Sequence, residues 1–589
     1  MSQFLHIAPE SPRVETSTAP KTRSPLRIFV AANLGEERFF LILAVFIGIF
    51  AGLAVVCFRL AIDWTRIGLL GPAPEPHSLR VLLVPALVGI AVAILVIHFF
   101  PQVRGSGVNQ TKAALYIFNG RIPFRTAVGK FITAALAIGS GQSLGPEDPS
   151  LQIGASLAWA IGYRMNLSRD KGRLLAPIGA AAGLAAAFNA PISAVLFVIE
   201  EVIGRWSAAI LGSVVLAAIS SVVVVRWFLG AQALFRIPPL TTVHPTELLA
   251  YAILGIVGGL AAVIFAKAIG YFRPILRSMP RATQYFQPAA AGLVIGVIGY
   301  LGAPQVMGAG YQYIDQAMHD QFTWKVLAIL AGLKIIATTL SFVSGTPGGM
   351  FAPTLFVGAM LGGAIGGLER HFYPHLTGTT GTYCLVGMGV LFAGFLRAPM
   401  TSVFMVLEVS GDYSIILPVI IANAIAYVVS RSLQPTPIFD MLTRQDGLNL
   451  PSLEEQREES VFHVEDAMKL PTDPVLDSED TVEEANQQIQ QSKAEAFLVR
   501  MSPSGWSTLD RERLLRFANE GKLQMTLGSL LSGQRLPHLH PDYPLEMALR
   551  SVENAPFIPV VSRADLRKLE GIISKEDVLA KYRAAALGE

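Results

Sequence analysis

Long apolar runs without charged side chains dominate the first 450 residues. A helix needs about 20 such residues to cross the hydrocarbon core of a bilayer. Six runs come close to that length or reach it: 39–58, 81–100, 206–225, 248–266, 376–396 and 413–430. The pattern predicts an α-helical membrane protein that crosses the bilayer many times.

Two stretches between these runs are apolar but irregular. Residues 105–201 and 335–408 are interrupted by Gly, Pro or Ser about every ten residues, which predicts short, broken helices. At membrane depth, irregular backbone is tolerated only where it is buried in protein or lines a cavity. We therefore expect a transport pathway in these stretches.

The same two stretches contain an internal repeat. Residues 140–162 align with 344–366 at a constant offset of 204, and residues 182–201 align with 390–409 at an offset of 208. Repeats that carry broken helices are typical of transporters with a site at the repeat interface. The alternative, ordinary packing of small residues between helices, explains the glycines but not the shared register.

The chain changes character near residue 450. Charged residues make up about 29% of residues 451–589 and about 11% of the residues before them. The segments AFLVR and FIPVV resemble strands, and TVEEANQQIQQS resembles a helix. We expect a soluble α/β unit attached to the last membrane helix.

These observations predict a domain order and a location. The expected parts are an amino-terminal segment (1–36), a membrane domain (37–446) with repeats at about 37–228 and 247–446, a linker (447–460), and a pair of small modules (about 461–525 and 526–589). No signal peptide is visible, and basic residues before the first span favour a cytoplasmic amino terminus. We expect a multi-pass protein of the plasma or inner membrane with both termini in the cytoplasm.

Composition and missing motifs exclude several classes of function. The net charge of +3 comes without a basic block, so nucleic-acid binding has little support. Cys57 and Cys384 lie far apart, which excludes a disulfide framework and offers no metal-ligand spacing. The chain has neither the HExxH motif of a metalloprotease nor the GxxxxGK[ST] loop of an ATP-driven pump. We expect no enzymatic activity, no metal and no resident cofactor in the membrane domain.

Three glycine-rich turns, GSGV (105–108), GPEDP (145–149) and GGMFAP (348–353), are predicted to open short helices. A helix start exposes unpaired N–H groups and about half a positive charge, so converging starts would bind an anion. None of these turns contains Lys or Arg, and neutral dipoles can replace an anion's water yet release it. Ser106 could add a hydroxyl donor to this anion site, and Met350 and Phe351 could add backbone amide donors. Alternatively, Ser106 is a plain helix cap.

Carboxylates near these turns suggest proton coupling. Glu147 stands at a helix start, where its charge could occupy the anion site until a proton removes it. Glu200 and Glu201 end an apolar stretch, and one of them could relay protons, unless both reach water at a cytoplasmic helix end. Asp148 either faces the pathway together with Glu147 or caps a helix and points to external water.

These motifs resemble the CLC family of chloride channels and transporters, followed by a pair of cystathionine-β-synthase-type (CBS) domains. The resemblance covers about residues 37–589 and implies inverted repeats and a homodimer with one complete pathway per subunit. It rests on GSG at 105–107, on the GxExP pattern at 145–149 and on the GxFxP pattern at 349–353. Lys130 falls where the family keeps a lysine.

The resemblance implies a role for each matching residue. Glu147 would be the external gating glutamate and Glu201 the internal proton glutamate. The implied chloride-binding residues are Ser106, Gly107, Met350, Phe351 and Phe439, and Phe439 stands where the family has a tyrosine, without its hydroxyl. Val108, Asn109, Pro146 and Asp148 also depart from the family pattern.

The function expected from this resemblance is chloride transport, with chloride and protons as the transported partners. Glu201 favours chloride/proton exchange, because channels of the family usually lack that glutamate. The alternatives are a passive voltage- or pH-gated chloride channel and a fluoride-selective relative. Ser106 favours chloride over fluoride.

The resemblance also suggests a ligand for the carboxy-terminal pair. A hydroxyl followed three residues later by an aspartate often contacts nucleotide ribose in CBS pairs, and Ser574 and Asp577 fit this pattern. The first module has Asp510 and Arg513 instead. The pair could bind an adenine nucleotide or serve a purely structural role.

Overall fold

The computed structural model describes residues 36–587, apart from 73, 166, 168, 205–207, 231–233, 236, 239–246, 374–377, 449, 451–461, 503–504, 534, 552–554 and 564. Nearly all of the predicted amino-terminal segment, most of the predicted linker and the first residues of the predicted spans 206–225 and 376–396 lie outside the described residues. The chain divides into two compact units, 1–451 and 452–589.

Helices make up the first unit. They are α1 (Glu36–Leu70), α2 (Leu79–Ile94), α3 (Gly107–Tyr116), α4 (Phe124–Gly139), α5 (Glu147–Arg164), α6 (Arg169–Phe188), α7 (Pro191–Phe197), α8 (Ala208–Leu229), α9 (Leu248–Ser278), α10 (Gln287–Tyr300), α11 (Tyr311–Met318), α12 (Trp324–Val343), α13 (Phe351–Phe372), α14 (Thr380–Leu391), α15 (Pro399–Ser410), α16 (Ile416–Leu433) and α17 (Ile438–Gln445). Wider π-helical turns extend α2, α7 and α14 by Leu95–Phe99, Val198–Ile203 and Phe392–Leu396.

Seven helices in the described part of the chain are long and apolar enough to cross a membrane. Two of them, α12 and α13, were not among the predicted spans. Lys325 and Lys334 interrupt the uncharged run of α12, and the glycines of α13 resembled helix breaks. Conversely, the described part of the predicted span 376–396 contains only the shorter helix α14 and its extension to Leu396.

The repeat is visible in the order of the helices. The elements α1–α8 and α9–α16 follow the same succession of long and short helices. Gly145 and Gly349, which are 204 positions apart, pair by two reciprocal backbone hydrogen bonds of 2.8 and 2.9 Å. The two repeats therefore meet at equivalent glycines.

Glycines also allow the closest helix contacts, and these contacts occur in both repeats. A Cβ on Gly154 of α5 would lie 2.2 Å from the carbonyl oxygen of Gly179 in α6. A Cβ on Gly358 of α13 would lie 2.3 Å from the carbonyl oxygen of Gly387 in α14. These helices pack backbone against backbone, as small residues permit in membranes.

The second unit is α/β. Its elements are β1 (Leu476–Asp477), α18 (Val482–Gln488), β2 (Ala496–Arg500), β3 (Trp506–Asp510), α19 (Arg511–Asn519), α20 (Leu527–Leu530), α21 (Leu545–Ser551), β4 (Ile558–Val561), β5 (Leu569–Ile573) and α22 (Lys575–Leu587). Strand β1 pairs in parallel with β2, β2 pairs antiparallel with β3, and β4 pairs antiparallel with β5.

The two modules of this unit are divided differently from the predicted boundary at 525/526. Val464 packs in the core of the second module, because the segment around it bonds by backbone to Tyr543 and Ile572. Leu527 and Leu531 pack in the core of the first module instead. Each module thus includes residues that the sequence-based division gave to the other.

The backbone contact between α5 and α6 generates a stability prediction. Gly154→Leu would force a side chain into Gly179, and overpacking of this kind costs about 1–3 kcal/mol or more. We expect a clearly lower midpoint of thermal unfolding in detergent micelles. Gly332→Leu in α12 is the matched control, because nothing lies within 4 Å of its Cβ position. Equal midpoints for the two variants would contradict this account of the interface.

Candidate anion and proton site

Three helix starts meet at the centre of the membrane unit. Helices α3, α5 and α13 begin at Gly107, Glu147 and Phe351, the positions that the three glycine-rich turns predicted. A Cβ on Gly107 would lie 2.6 Å from the carbonyl oxygen of Asp148, and one on Gly349 would lie 2.5 Å from the Cβ of Asp148. The turns need glycine because their backbones touch.

Asp148 is a residue of α5, but its carboxylate contacts the start of α3. Its carboxylate accepts hydrogen bonds from the Ser106 hydroxyl at 2.9 Å, from the Val108 amide at 3.1 Å and from the Gly107 amide. The side chain is fully buried, so the alternative that it points to external water is wrong. A tethered carboxylate therefore occupies the Ser106 hydroxyl and the Gly107 amide, both assigned to chloride from the sequence, and also the Val108 amide, which was not assigned.

Glu147 is the first residue of α5, but its carboxylate contacts the start of α13, which belongs to the other repeat. Its Oε2 accepts a hydrogen bond from the Ala352 amide at 3.4 Å, and Oε1 is buried with no hydrogen-bond partner among the described residues. The sequence assigned amides of Met350 and Phe351 to this helix start but not that of Ala352. Adjacent acids thus bind two different helix starts.

The Ser106 hydroxyl makes two hydrogen bonds at the start of α3. Its hydroxyl oxygen accepts a hydrogen bond from the Val108 amide at 3.2 Å, as a helix cap does. The same hydroxyl donates to Asp148. Its proton therefore points at an anionic oxygen, which is the geometry that an anion ligand requires.

Buried lysines hold the turns in place. The Nζ of Lys130 donates to the carbonyl oxygens of Val103 and Gly105, at 3.1 and 2.7 Å, just before Ser106. In the second repeat, Lys334 donates in the same way to Val306 and Gly308. With its carbonyls turned toward an ammonium group, the backbone before Ser106 is fixed relative to α3.

Aromatic rings close one side of the site. The centroids of the Phe197 and Phe351 rings are 4.9 Å apart, and the ring of Phe439 lies 6.3 Å from each of them. The Phe439 carbonyl accepts a hydrogen bond from the Asn109 side chain at 3.1 Å. Phe439 therefore provides an apolar wall, and α17 is tied to α3 through its backbone.

Glu201 belongs to a buried charge cluster that the sequence did not predict. The Nζ of Lys112 lies 3.1 Å from Glu201 Oε1 and 3.0 Å from Asp440 Oδ1. Glu201 is fully buried, so the alternative that both glutamates reach water is wrong for it. The partners are 89 and 328 residues from Lys112 in the chain, which explains why no local pattern indicated them.

Glu200 does not share this cluster. Its carboxylate accepts hydrogen bonds from the amides of Met400 and Thr401 at the start of α15. In the other direction, Glu408 accepts from the amides of Ile192 and Ser193 at the start of α7. Each glutamate therefore caps a helix of the opposite repeat, and Glu201 is left as the candidate for proton transfer.

A cavity of about 260 Å³ lies beside the turn that carries Glu147. Its lining includes Arg59, Asp63 and Arg66 of α1 together with Pro146. Pro146 carries no charge, and the two arginines supply positive charge to the same cavity. An anion could be attracted here from the aqueous phase.

The two predicted nucleotide residues lie in the second unit. The Ser574 amide and hydroxyl donate to Asp577, and the Asp577 amide donates back to Ser574 at the start of α22. Lys469 also pairs with Asp577. Partial burial would raise the pKa of Asp577, but the hydrogen bonds from Lys469 and Ser574 outweigh it and hold that pKa below its ordinary value.

Comparisons with known proteins agree with this architecture. The profile of the family described as Voltage gated chloride channel matches residues 88–431. The H(+)/Cl(-) exchange transporter ClcA of Yersinia pestis bv. Antiqua (strain Angola) is 32% identical over 414 residues, which cover 68% of this chain and 86% of that relative.

Solved structures share the fold. A slow cyanobacterial Cl-/H+ antiporter superposes with a TM-score of 0.64 at 24% identity, covering 71% of this chain and 99% of that one. A eukaryotic CLC transporter superposes with a TM-score of 0.60 at 19% identity, covering 94% of this chain and 98% of that one.

Fold and site together define a multi-pass α-helical membrane protein in which two inverted repeats bring buried helix starts to a common centre. The match to the family profile and the identity to ClcA are extensive enough to identify it further. The chain belongs to the voltage-gated chloride channel (CLC) family.

The position of Asp148 leads to a binding prediction. Asp148→Gly should free the Gly107 and Val108 amides, and we expect chloride to bind roughly 3- to 10-fold more tightly, a change of about 0.7–1.4 kcal/mol. Isothermal titration calorimetry of the purified protein with chloride measures this. Asp148→Asn keeps the size of the side chain without its charge and should give an intermediate affinity. Unchanged chloride affinity in Asp148→Gly would reduce Asp148 to a helix cap.

Proposed function

We propose that this protein exchanges chloride for protons across the membrane, as a transporter and not as an enzyme. The observation that carries the proposal is the buried carboxylate of Glu147 on the start of α13, where an anion would bind. The printed name of the relative ClcA, an H(+)/Cl(-) exchange transporter, supports the same reaction.

The exchange rests on competition for helix starts. Ionised Glu147 occupies the Ala352 amide and excludes chloride from it, because two anions cannot share one site of half a positive charge. A proton neutralises the carboxylate, which then leaves the amide to chloride. Chloride passage and proton uptake at Glu147 are thereby coupled. Glu201 supplies protons from the opposite side without contacting the anion.

Glu201 and Ser106 distinguish chloride/proton exchange from a passive channel and from fluoride transport. A passive channel needs no internal proton group, and a carboxylate buried with Lys112 and Asp440 would then have no transport role. A fluoride-selective relative would not need the Ser106 hydroxyl as an anion ligand. The presence of both groups at the site supports chloride/proton exchange over these alternatives.

We also propose the location and assembly that the family suggests. The protein would lie in the inner or plasma membrane with both termini in the cytoplasm. It would form a homodimer, and each subunit would have its own pathway, since α3, α5 and α13 of one chain complete the set of helix starts. Mass measurement in detergent tests the dimer.

The first functional prediction concerns Glu147. In Glu147→Gln, no charge competes with chloride, so chloride flux should become nearly independent of pH and coupled proton movement should disappear. Proteoliposomes with simultaneous chloride and pH electrodes measure both fluxes. Glu408→Gln removes a carboxylate from a helix start outside the site and should preserve coupling. Uphill proton movement by Glu147→Gln would refute the role of Glu147 as gate and proton acceptor. If the wild-type protein moves no protons uphill, the passive channel is favoured.

For the second unit we propose an adenine-nucleotide site at Ser574 and Asp577. An ionised aspartate can accept hydrogen bonds from ribose hydroxyls, and Lys469 beside it could pair with a phosphate. The contacts among these three residues support the proposal because they gather a hydroxyl, a carboxylate and an exposed ammonium group at one point.

Calorimetry of the full-length protein with ATP, ADP and AMP tests this site. Asp577→Ala should remove the heat of binding, because the ribose would lose its acceptor. Glu576→Ala changes the neighbouring exposed acid and should keep the binding. If none of the three nucleotides produces heat, Ser574 and Asp577 serve only as the cap of α22.

A further inference from the structure

The cluster of Lys112, Glu201 and Asp440 contains one more carboxylate than a single internal proton site needs. All three side chains are at least nine-tenths buried, and both acids contact the same ammonium group. We propose that Asp440 is a second internal proton acceptor, which receives the proton first and passes it to Glu201 across Lys112. This inference rests on the proposed exchange function.

Charge within the cluster supports the assignment. With all three groups ionised the cluster carries a net charge of −1, so it can take up one proton and become neutral. Burying a charge without a partner is costly, which favours a bound proton inside the membrane. Glu200, the next acid in the chain, uses its carboxylate at the start of α15 and does not compete for Lys112.

Burial gives the order of the two acids. The side chain of Asp440 is 9% exposed, whereas that of Glu201 is fully buried. Water can therefore reach Asp440 more readily. The second oxygen of Glu201, Oε2, is buried and accepts no hydrogen bond from the described residues, so Glu201 keeps an unused acceptor besides the oxygen that contacts Lys112.

Lys112 lies between the two acids and completes the transfer. Its Nζ first gives one proton to Glu201 Oε1, and the amine so formed then takes the proton from Asp440 Oδ1. Asp440 ends ionised, Glu201 ends protonated and the ammonium group is restored. No other group needs to gain or lose charge. Lys112 is a relay in this step, and it also positions both carboxylates.

The position of Asp440 connects this step to the anion pathway. Asp440 directly follows Phe439, whose ring forms the wall of the anion site and whose carbonyl accepts the Asn109 hydrogen bond. Helix α17 therefore presents an apolar wall to chloride and an acid to protons at neighbouring residues. The two transported species approach the site on separate sides of one short helix.

The test compares variants in the proteoliposome assay with chloride and pH electrodes. Asp440→Asn should still move chloride but lose at least tenfold of its coupled proton flux, as Glu201→Gln should. Asp446→Asn is the matched control, because Asp446 follows the same helix and pairs with Arg273 and Arg277 outside the cluster. It should keep its coupling. Wild-type coupling in Asp440→Asn would overturn the inference.

A second variant guards against misfolding. Lys112→Arg keeps the positive charge between the acids, but a guanidinium group hardly ever gives up its proton. We expect its proton flux to fall while chloride flux continues, and full coupling would rule out transfer through Lys112. If the wild type moves no protons uphill, the exchange function fails. If the wild type and Asp440→Asn couple equally, only this inference fails.

Discussion

Backbone N–H groups that helix starts in the membrane unit leave without a partner in their own helix are the constraint on which the rest of this structure depends. Broken helices inside a membrane leave such groups without water. In this chain carboxylates satisfy them: Asp148 at α3, Glu147 at α13, Glu200 at α15 and Glu408 at α7. The bonds of Glu200 and Glu408 join the two repeats reciprocally. The other two place negative charge where an anion would bind, so the need that stabilises the fold also creates the site.

The register of the repeat and the positions of the helix starts could be predicted, because glycine and proline mark turns locally. The lengths of some helices could not. Lys334 interrupts the hydrophobic pattern of α12, yet two carbonyl oxygens satisfy its charge inside the protein. The glycines of α13 resembled breaks because a sequence does not show that another backbone lies against them. In both cases tertiary contacts overrode the local signal.

Within the site, the sequence identified single residues better than their partners. Glu147 and Ser106 follow from their place in a motif. The direction of the Asp148 side chain depends on how closely α3 and α5 approach, and the partners of Glu201 come from α3 and α17. Because Lys112 and Asp440 are 328 residues apart, only the folded chain brings them together. Charges that compensate each other across a fold leave no periodic trace in the sequence.

The reciprocal caps of Glu200 and Glu408 have a consequence for biosynthesis. Ser193 and its acceptor Glu408 are 215 residues apart, so at roughly 5–20 residues per second the ribosome needs about 10–40 s to supply the missing carboxylate. During that time the amides of Ile192 and Ser193 lack this acceptor. The cap of α7 can therefore form only after the second half of the membrane unit has been synthesised.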